Sequence, residues 1–221
     1  SNVAANASTY IRAQEGTRAT SAISQHTAYD NRDSALFPTD GWLYWLDTEY
    51  AGLGGDASFV SAKTGASYYY PVTKSIVLNV GGETGAIKGV GENVEINERY
   101  FLGGTTLRGF ERSGLGPRDT ATTDALGGNY FYRNTVELSF PIGFPKEYGV
   151  EGHAFNDAGS LWNVDDRGSS IRDKNTIRAS AGIGVSWRSP MGPLRLDYAL
   201  PYAKEDFDKT EHFRFNFGTR F

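Results

Sequence analysis

The C-terminal end of the chain, residues 211–221, alternates between aromatic and polar side chains. One parity carries Phe213, Phe215, Phe217 and Phe221, and the other carries Arg214, Asn216, Gly218 and Arg220. Because successive strand side chains point to opposite faces, this segment predicts a strand with one aromatic face and one polar face that contacts water. A soluble β-sandwich would bury the aromatic face in its core, whereas an outer-membrane barrel turns it towards lipid and the polar face towards the lumen.

Four further segments repeat the alternation, and this repetition decides between the two architectures. They are residues 42–50, 130–140, 176–188 and 194–200, and in each the parity opposite the apolar one carries polar or charged side chains. An unpaired charge is costly in a packed core, but a water-filled lumen tolerates it. A strand needs roughly 9–11 residues to cross a bilayer, and these segments fit that length. The sequence therefore predicts an all-β chain that forms an antiparallel transmembrane β-barrel of the outer membrane.

The composition of the chain excludes several other classes of protein. The chain has 221 residues, no cysteine and a formal net charge of −4. Without cysteine there are no disulfides and no thiol catalysis, which suits an outer membrane. The acidic balance gives no case for nucleic-acid binding, which favours a basic patch. No apolar run approaches the ~18 residues of a membrane helix, and we interpret the sequence as one β unit, a mature fragment without a signal peptide.

The pattern predicts about ten strands, joined by connections of two kinds. The predicted strands are residues 3–14, 17–30, 41–52, 56–71, 75–88, 129–141, 149–161, 176–189, 193–201 and 212–221. Connections with Pro or Gly turn chemistry are placed on the periplasmic side: residues 31–40, 71–74, 141–148 and 189–192. The other connections are placed outside the cell: residues 14–16, 53–55, 89–128, 163–175 and 201–211.

The connection at residues 89–128 is unusually long. A loop of roughly forty residues is uncommon and is usually functional or disordered. Its density of aromatic and glycine residues predicts an ordered segment that packs against the barrel's own interior. It contains three motifs: Phe-Leu-Gly-Gly at 101–104, Leu-Arg-Gly-Phe at 107–110 and Gly-Leu-Gly-Pro-Arg at 114–118.

These motifs resemble the sixth extracellular loop of the BamA family, the central barrel subunits of the outer-membrane protein assembly machinery. Other segments are similar to the same family: residues 125–129, 157–159, 186–194 and 213–218. The resemblance covers essentially the whole chain as the C-terminal part of the barrel, with an alphaproteobacterial character. The Ser-Pro-x-Gly-Pro turn at 189–193 favours the assembly and bacterial surface antigen branch over two-partner secretion transporters.

The resemblance implies a sixteen-strand barrel preceded by periplasmic POTRA domains, of which this chain holds about the last ten strands and no POTRA domain. It also implies a lateral gate between the first and last strands, where an incoming strand pairs with an exposed edge. One side of that gate is then the C-terminal strand, with Phe213, Phe215, Phe217, Gly218 and Phe221.

The implied function is insertion and assembly of membrane proteins by a subunit that is not an enzyme and uses no cofactor or metal. The implied partners are unfolded outer-membrane proteins, the lipoproteins of the assembly machinery, periplasmic chaperones, the lipid bilayer and lipopolysaccharide, with no nucleic acid. The alternatives left open are a TamA-like or two-partner secretion barrel, a passive porin, and an enzyme barrel. The number of POTRA domains encoded upstream would separate the paralogues, and loop-independent ion conductance would indicate a porin.

The resemblance singles out one loop motif, made of Leu107, Arg108, Gly109 and Phe110. In the family this arginine enters the lumen and pairs with inner-wall acids that correspond here to Glu137 and Asp157. Strand parity independently points Glu137 inward, and a planar guanidinium suits bidentate binding of carboxylates. Gly109 would allow a tight backbone turn, and Phe110 would anchor the loop by burial.

The remaining chemistry-bearing residues predict no catalytic or metal site. His26, His153 and His212 are scattered without metal-ligand spacing, so we interpret them as surface or lumen histidines. The acidic residues at 165–166 and 205–208 predict solvated outer loops rather than cation sites. Six aromatic residues predict interfacial girdles: Trp42, Tyr44, Tyr68, Tyr70, Tyr130 and Tyr132.

Overall fold

The computed structural model describes residues 7–218, and residues 1–6 and 219–221 lie outside the described part. A short helix, α1, spans Thr9–Ala13, and a 3-10 turn spans Lys146–Tyr148. The strands in chain order are β1 Ala22–Asp30, β2 Gly41–Ala51, β3 Phe59–Thr73, β4 Ile76–Gly89, β5 Arg118–Asp119, β6 Asp124–Ala125, β7 Tyr130–Pro141, β8 Val150–Trp162, β9 Ile171–Arg172, β10 Arg178–Ser189, β11 Gly192–Ala203 and β12 Phe213–Phe217. Over this part of the chain, no helix is both long and apolar enough to cross a bilayer.

Nine of these strands form one antiparallel sheet in the order β1-β2-β3-β4-β7-β8-β10-β11-β12. Each inner strand pairs with the preceding and the following strand of this sheet, the arrangement of an up-and-down barrel wall. Within residues 7–218 the sheet is not closed, because β1 and β12 form its two edges. The predicted all-β antiparallel class is confirmed.

The sheet carries its apolar side chains on the outside, the reverse of a soluble protein. On β10, Ile183 and Trp187 are exposed, whereas Arg178 and Ser180 on the opposite face are buried. The same inversion holds on β11, where Leu196, Tyr198 and Leu200 are exposed and Asp197 is buried. A continuous exposed apolar face requires an apolar environment, while the inner face is built for polar contacts.

The predicted girdle residues lie in two groups near opposite ends of the strands. Trp42, at the start of β2, stacks on Tyr68 with 4.1 Å between ring centroids. Tyr130 and Tyr132, at the start of β7, lie with ring centroids 6.0 and 5.9 Å from that of Trp162. Amphipathic rings at two heights on one apolar face are typical of a wall that crosses a membrane.

The two kinds of connection lie at opposite ends of the sheet, as the sequence predicts. Tight turns join β3 to β4 and β10 to β11 at one end. The long connection at 90–129 joins β4 to β7 at the other end, where the connections from β8 to β10 and from β11 to β12 also lie. Which end faces the periplasm stays a prediction.

The long connection is ordered and shares a core with the wall. Two of its segments, β5 and β6, form a small three-stranded sheet with β9 from the next connection. A buried apolar cluster combines loop and wall side chains: Leu102, Leu107, Phe110, Leu115, Phe131 and Leu161. The loop is therefore a folded element that packs on the inside of the sheet.

The predicted strand at residues 3–14 is wrong in its described part, which forms α1, and the next strand begins at Ala22. Ser8 caps α1, because its hydroxyl oxygen accepts the backbone N–H of Tyr10. The Ser8 backbone N–H donates to Asp124 at 2.7 Å, and its hydroxyl donates to Asp119 at 2.6 Å. Because these groups bond to the long loop, the segment docks there instead of adding a tenth strand to the sheet.

Candidate functional site

The loop motif lies on the inner face of the sheet against β7, β8 and β10. Leu107 and Phe110 are fully buried in the shared core, and Arg108 extends from the loop to the wall. Gly109 has a φ of +89°, and a Cβ built there would lie 3.0 Å from the Cβ of Ser180. A side chain at this position would strain the backbone and hold the loop off the wall.

Arg108 contacts both of the carboxylates expected from the resemblance. Its Nε and Nη2 donate to Oδ2 and Oδ1 of Asp157, each at 2.7 Å, and its Nη1 donates to Oε2 of Glu137 at 2.5 Å. The Arg108 backbone N–H also donates to Asp157, at 3.1 Å. The Asp157 side chain is only 5% exposed. This bidentate, charge-assisted contact is among the stronger polar interactions available to a protein.

Three wall residues complete the cradle around Arg108. Its Nη2 donates to the Thr135 hydroxyl at 3.0 Å, and that hydroxyl donates to Asp157 at 2.7 Å. The Phe155 ring lies 3.4 Å from the guanidinium carbon, which adds a cation–π contact. The Ser180 hydroxyl donates to the Arg108 carbonyl at 2.5 Å. Strand register explains the arrangement, because Thr135, Asp157 and Ser180 are successive cross-strand partners on β7, β8 and β10.

The Arg108 guanidinium stays protonated although it is buried. Burial disfavours the charged guanidinium, but the hydrogen bonds and attraction of Asp157, followed by those of Glu137, outweigh it and raise the pKa of Arg108 above its ordinary value. The guanidinium therefore stays charged at every physiological pH, and the loop contact does not titrate through this group.

A second layer of charged residues, which the sequence did not single out, lies behind Glu137. Arg195 donates from Nη1 and Nη2 to the two Glu137 oxygens at 3.1 and 2.6 Å, and its Nε lies 3.1 Å from Asp197 Oδ1. His153 Nε2 lies 2.6 Å from the same Asp197 oxygen and donates to it, since a carboxylate only accepts. Strand alternation could have placed His153 on the inner face, because it lies on β8 four residues before Asp157 and therefore shares the face of Asp157.

The loop is tied to the wall at a further point, next to the motif. Arg133 on β7 donates to the Thr106 carbonyl at 3.5 Å and to Glu83 on β4 at 2.7 Å. Lys63 on β3 lies 2.6 Å from the other Glu83 oxygen. A charged inner-face side chain therefore also holds the loop at Thr106, two residues before Arg108.

The C-terminal strand keeps the faces that the sequence predicts. Phe213, Phe215 and Phe217 are exposed on the outer face, while Arg214 and Asn216 are half-buried on the inner face. β12 pairs with β11, and no other described strand pairs with its second edge. Gly218 follows with a φ of +115°, and Phe221 lies outside the described residues.

The prediction that the acidic outer-loop residues are solvated is wrong, most clearly for two that pair with buried arginines. Asp166 lies 2.7 Å from Nη2 of Arg99, and Asp208 lies 3.1 Å from Nε of Arg178. Both arginine side chains and that of Asp208 are fully buried. Burying these guanidinium groups requires a carboxylate partner, so the acids hold the outer loops together.

A family model, curated relatives and a solved structure all match this chain. The sequence matches the Omp85 superfamily domain over residues 1–221. It is 33% identical over 213 residues to the outer membrane protein assembly factor BamA of Neorickettsia risticii, covering 96% of this chain and 29% of that protein. It is 34% identical over 216 residues to BamA of Neisseria meningitidis, covering 86% of this chain and 27% of that protein. The crystal structure of BamA from Haemophilus ducreyi lacking POTRA domains 1–3 matches with a TM-score of 0.78 and 28% identity, covering 88% of this chain and 41% of that one.

The chain therefore belongs to the Omp85 superfamily, and its sheet is part of an antiparallel transmembrane β-barrel of the bacterial outer membrane. It is similar to the C-terminal barrel part of BamA. Lipid is then the apolar environment that the exposed outer face requires. The chain spans less than a third of the length of these two curated relatives.

Proposed function

We propose that this chain is the C-terminal barrel part of an outer-membrane protein assembly factor, which folds β-barrel proteins and inserts them through a lateral gate. The observation that carries the proposal is the docked loop of an Omp85-superfamily barrel, held on the inner wall by Arg108. The similar bacterial proteins are named as assembly factors, which favours this role over a transporter or a porin. The subunit acts by binding and positioning strands and is not an enzyme.

The edge of β12 is the proposed template for incoming strands. An unpaired edge presents backbone N–H and C=O groups, and an added strand satisfies them. The faces of β12 also select the register, since Phe215 points outward and Asn216 points inward. An incoming strand must match this alternation, because a slip of one residue would turn its apolar side chains into the lumen.

The docked loop supports the start of that edge strand. The backbone N–H of Glu211 donates to the Gly109 carbonyl at 3.0 Å, and Phe110 forms a β-bridge with Thr210. Both contacts lie directly before β12, which begins at Phe213. A loop held by Arg108 therefore positions the segment that leads into the gate.

The partners follow from this role. Unfolded outer-membrane proteins would bind at the β12 edge, and lipid and lipopolysaccharide would surround the outer face. Periplasmic chaperones and the lipoproteins of the assembly machinery would act from the periplasmic side. None of these partners requires a cofactor or metal at the loop site.

The test is complementation of a strain depleted of the full-length protein, with the levels of several outer-membrane barrel proteins as the readout. Arg108→Ala should reduce those levels, and Arg108→Lys should restore them only in part, because an ammonium cannot reproduce the bidentate fork. The matched control is Arg188→Ala, because Arg188 pairs with Glu151 on the rim, where the two side chains are 40% and 39% exposed. Full complementation by Arg108→Ala at normal expression would remove the loop anchor from the functional account. Ion conductance that does not depend on Arg108 would favour a porin.

A further inference from the structure

Arg108 and the second layer of charged residues (Arg195, Asp197 and His153) meet at one carboxylate, that of Glu137. Its Oε2 accepts from Arg108 on the loop and from Arg195 on β11, at 2.5 and 2.6 Å. Together with Asp157, Glu137 therefore sets where Arg108 binds, and Arg195 is the residue that holds Glu137 from the other side. The side chains of Arg108, Glu137 and Arg195 are 10%, 15% and 13% exposed, so each depends on protein partners more than on water.

Arg195 is oriented in turn by Asp197, and Asp197 is held by His153. The two carboxylate oxygens of Asp197 each lie 3.1 Å from Nε of Arg195. The Asp197 and His153 side chains are only 2% and 1% exposed, and their contact is 2.6 Å long. His153 makes no contact with the loop in the described structure. Asp197, which it holds, reaches Arg108 in two ways: through Arg195 and Glu137, and directly, with Oδ1 4.0 Å from Nη1 of Arg108.

Strand register shows how His153 and Asp197 meet across an intervening strand. His153 on β8 is the cross-strand partner of Gly184 on β10, and Gly184 is the partner of Asp197 on β11. A Cβ at position 184 would lie 2.3 Å from His153 Nε2 and 2.8 Å from Asp197 Oδ1. The glycine therefore opens the space in which the two side chains bond, and this bond ties β8 to β11 over β10.

We propose that His153 is a positioning residue for the loop anchor: it holds Asp197, which keeps Arg195 forked on Glu137 and thereby fixes where Arg108 docks. This inference rests on the proposed function for its consequence, because β11 is the strand that pairs with the edge strand β12. The contacts from His153 through Asp197, Arg195 and Glu137 therefore connect the docked loop to β11, the strand that pairs with the proposed gate strand β12. Loss of His153 should loosen the loop without removing any group that touches Arg108.

The experiment measures loop position directly in the purified full-length protein. This chain has no cysteine, so spin labels can be placed at Thr105→Cys on the loop and Ser67→Cys on β3, both of which line the cavity below the loop. Cysteines elsewhere in the full-length protein would be replaced by serine. Double electron–electron resonance should give one narrow distance distribution for the parent protein.

His153→Leu should lose the narrow distribution, and His153→Gln should retain it, because the glutamine amide can still donate to Asp197. The control is His26→Leu, since His26 also pairs with an aspartate, Asp47, on the inner wall of β1 and β2, far from β8 in the sheet, although its side chain is 65% exposed. It should leave the distribution unchanged. Should His153→Leu fail to accumulate, Asp197→Asn is measured instead; it should broaden the distribution, because the neutral amide loses the ion pairs with Arg195 and with Arg108.

A double-mutant comparison separates positioning from a general effect on the fold. If His153 acts through Arg108, then His153→Leu adds no further broadening in an Arg108→Ala background. A narrow distribution in His153→Leu, equal broadening in His26→Leu, or additive broadening in the double variant would each overturn the proposal. These readouts require no assembly assay, so normal assembly by Arg108→Ala would remove the loop anchor from the functional account and leave the loop measurement standing.

Discussion

Removing the Arg108 side chain should release the loop motif from the wall by a predictable amount. Glu137 would keep Arg195, so it would not be left alone. Asp157 would lose its bidentate partner and keep the Thr135 hydroxyl and, while the loop stays docked, the backbone N–H of residue 108. Breaking a buried ion pair by removing one partner costs about 3–5 kcal/mol, and with one orphaned carboxylate we expect a value near the lower end, about 3 kcal/mol.

Hydrogen exchange measures this effect where it occurs. Since 1.36 kcal/mol corresponds to a tenfold change, a loss of about 3 kcal/mol should speed exchange of the amides around 107–110 on the order of 100-fold. Arg108→Lys should give an intermediate rate, because its ammonium pairs with one carboxylate at a time. Arg188→Ala should leave these amides unchanged, since its exposed pair contributes less than about 1 kcal/mol. Acceleration of less than about threefold in Arg108→Ala would refute the reasoning, because that is the scale of an exposed surface pair.

Three further predictions address the turn, the strand faces and the connection between β1 and β2. Gly109→Ala should destabilise the docked loop by about 1–3 kcal/mol through its positive φ and its contact with Ser180, and unchanged exchange at 107–110 would contradict this. Spin labels at Phe215 and Asn216 should report opposite accessibility to oxygen and to a water-soluble relaxant, and equal accessibility would reject the assigned faces. Hydrogen bonds from the Thr39 hydroxyl and amide, and from the Asp40 amide, lower the pKa of Asp33 to about 2. The pKa of Asp33 in the folded protein therefore lies below its unfolded value of about 3.9. Above about pH 3.9 its carboxylate should slow hydrogen exchange of the Thr39 amide, and this protection should be lost as the pH falls through about 2. Protection that Asp33→Ala leaves intact would exclude this carboxylate as its source.

The C-terminal part of the fold could be predicted well from the sequence because the polarity of side chains alternates regularly along a barrel strand. One face meets lipid and the other meets water, so polarity alternates along a single strand and needs no distant contact to be recognised. The segments that became β10, β11 and β12 show this clearly, and their exposed faces are the predicted apolar ones. The N-terminal segment lacked that alternation, and the strand assigned to 3–14 failed for this reason.

The loop anchor was predicted only in part. Parity pointed Glu137 inward, but the partnership of Glu137 and Asp157 with Arg108 came from the resemblance, since the spacing of these residues shows no pattern of its own. From the sequence, His153 is interpreted only as a surface or lumen histidine. Its role depends on Asp197, which is 44 residues away in the chain, and on a glycine in the strand between them.

The sequence by itself therefore determined the class of architecture, the outward and inward faces of most strands, and the order of hairpins that builds the wall. Only the tertiary structure decided which inward charges meet, that α1 docks on the long loop through Ser8, and that the outer-loop acids Asp166 and Asp208 serve buried arginines. The physical reason is that strand alternation is a local property with a period of two residues, whereas these ion pairs depend on strand register and on the path of the loop across the lumen.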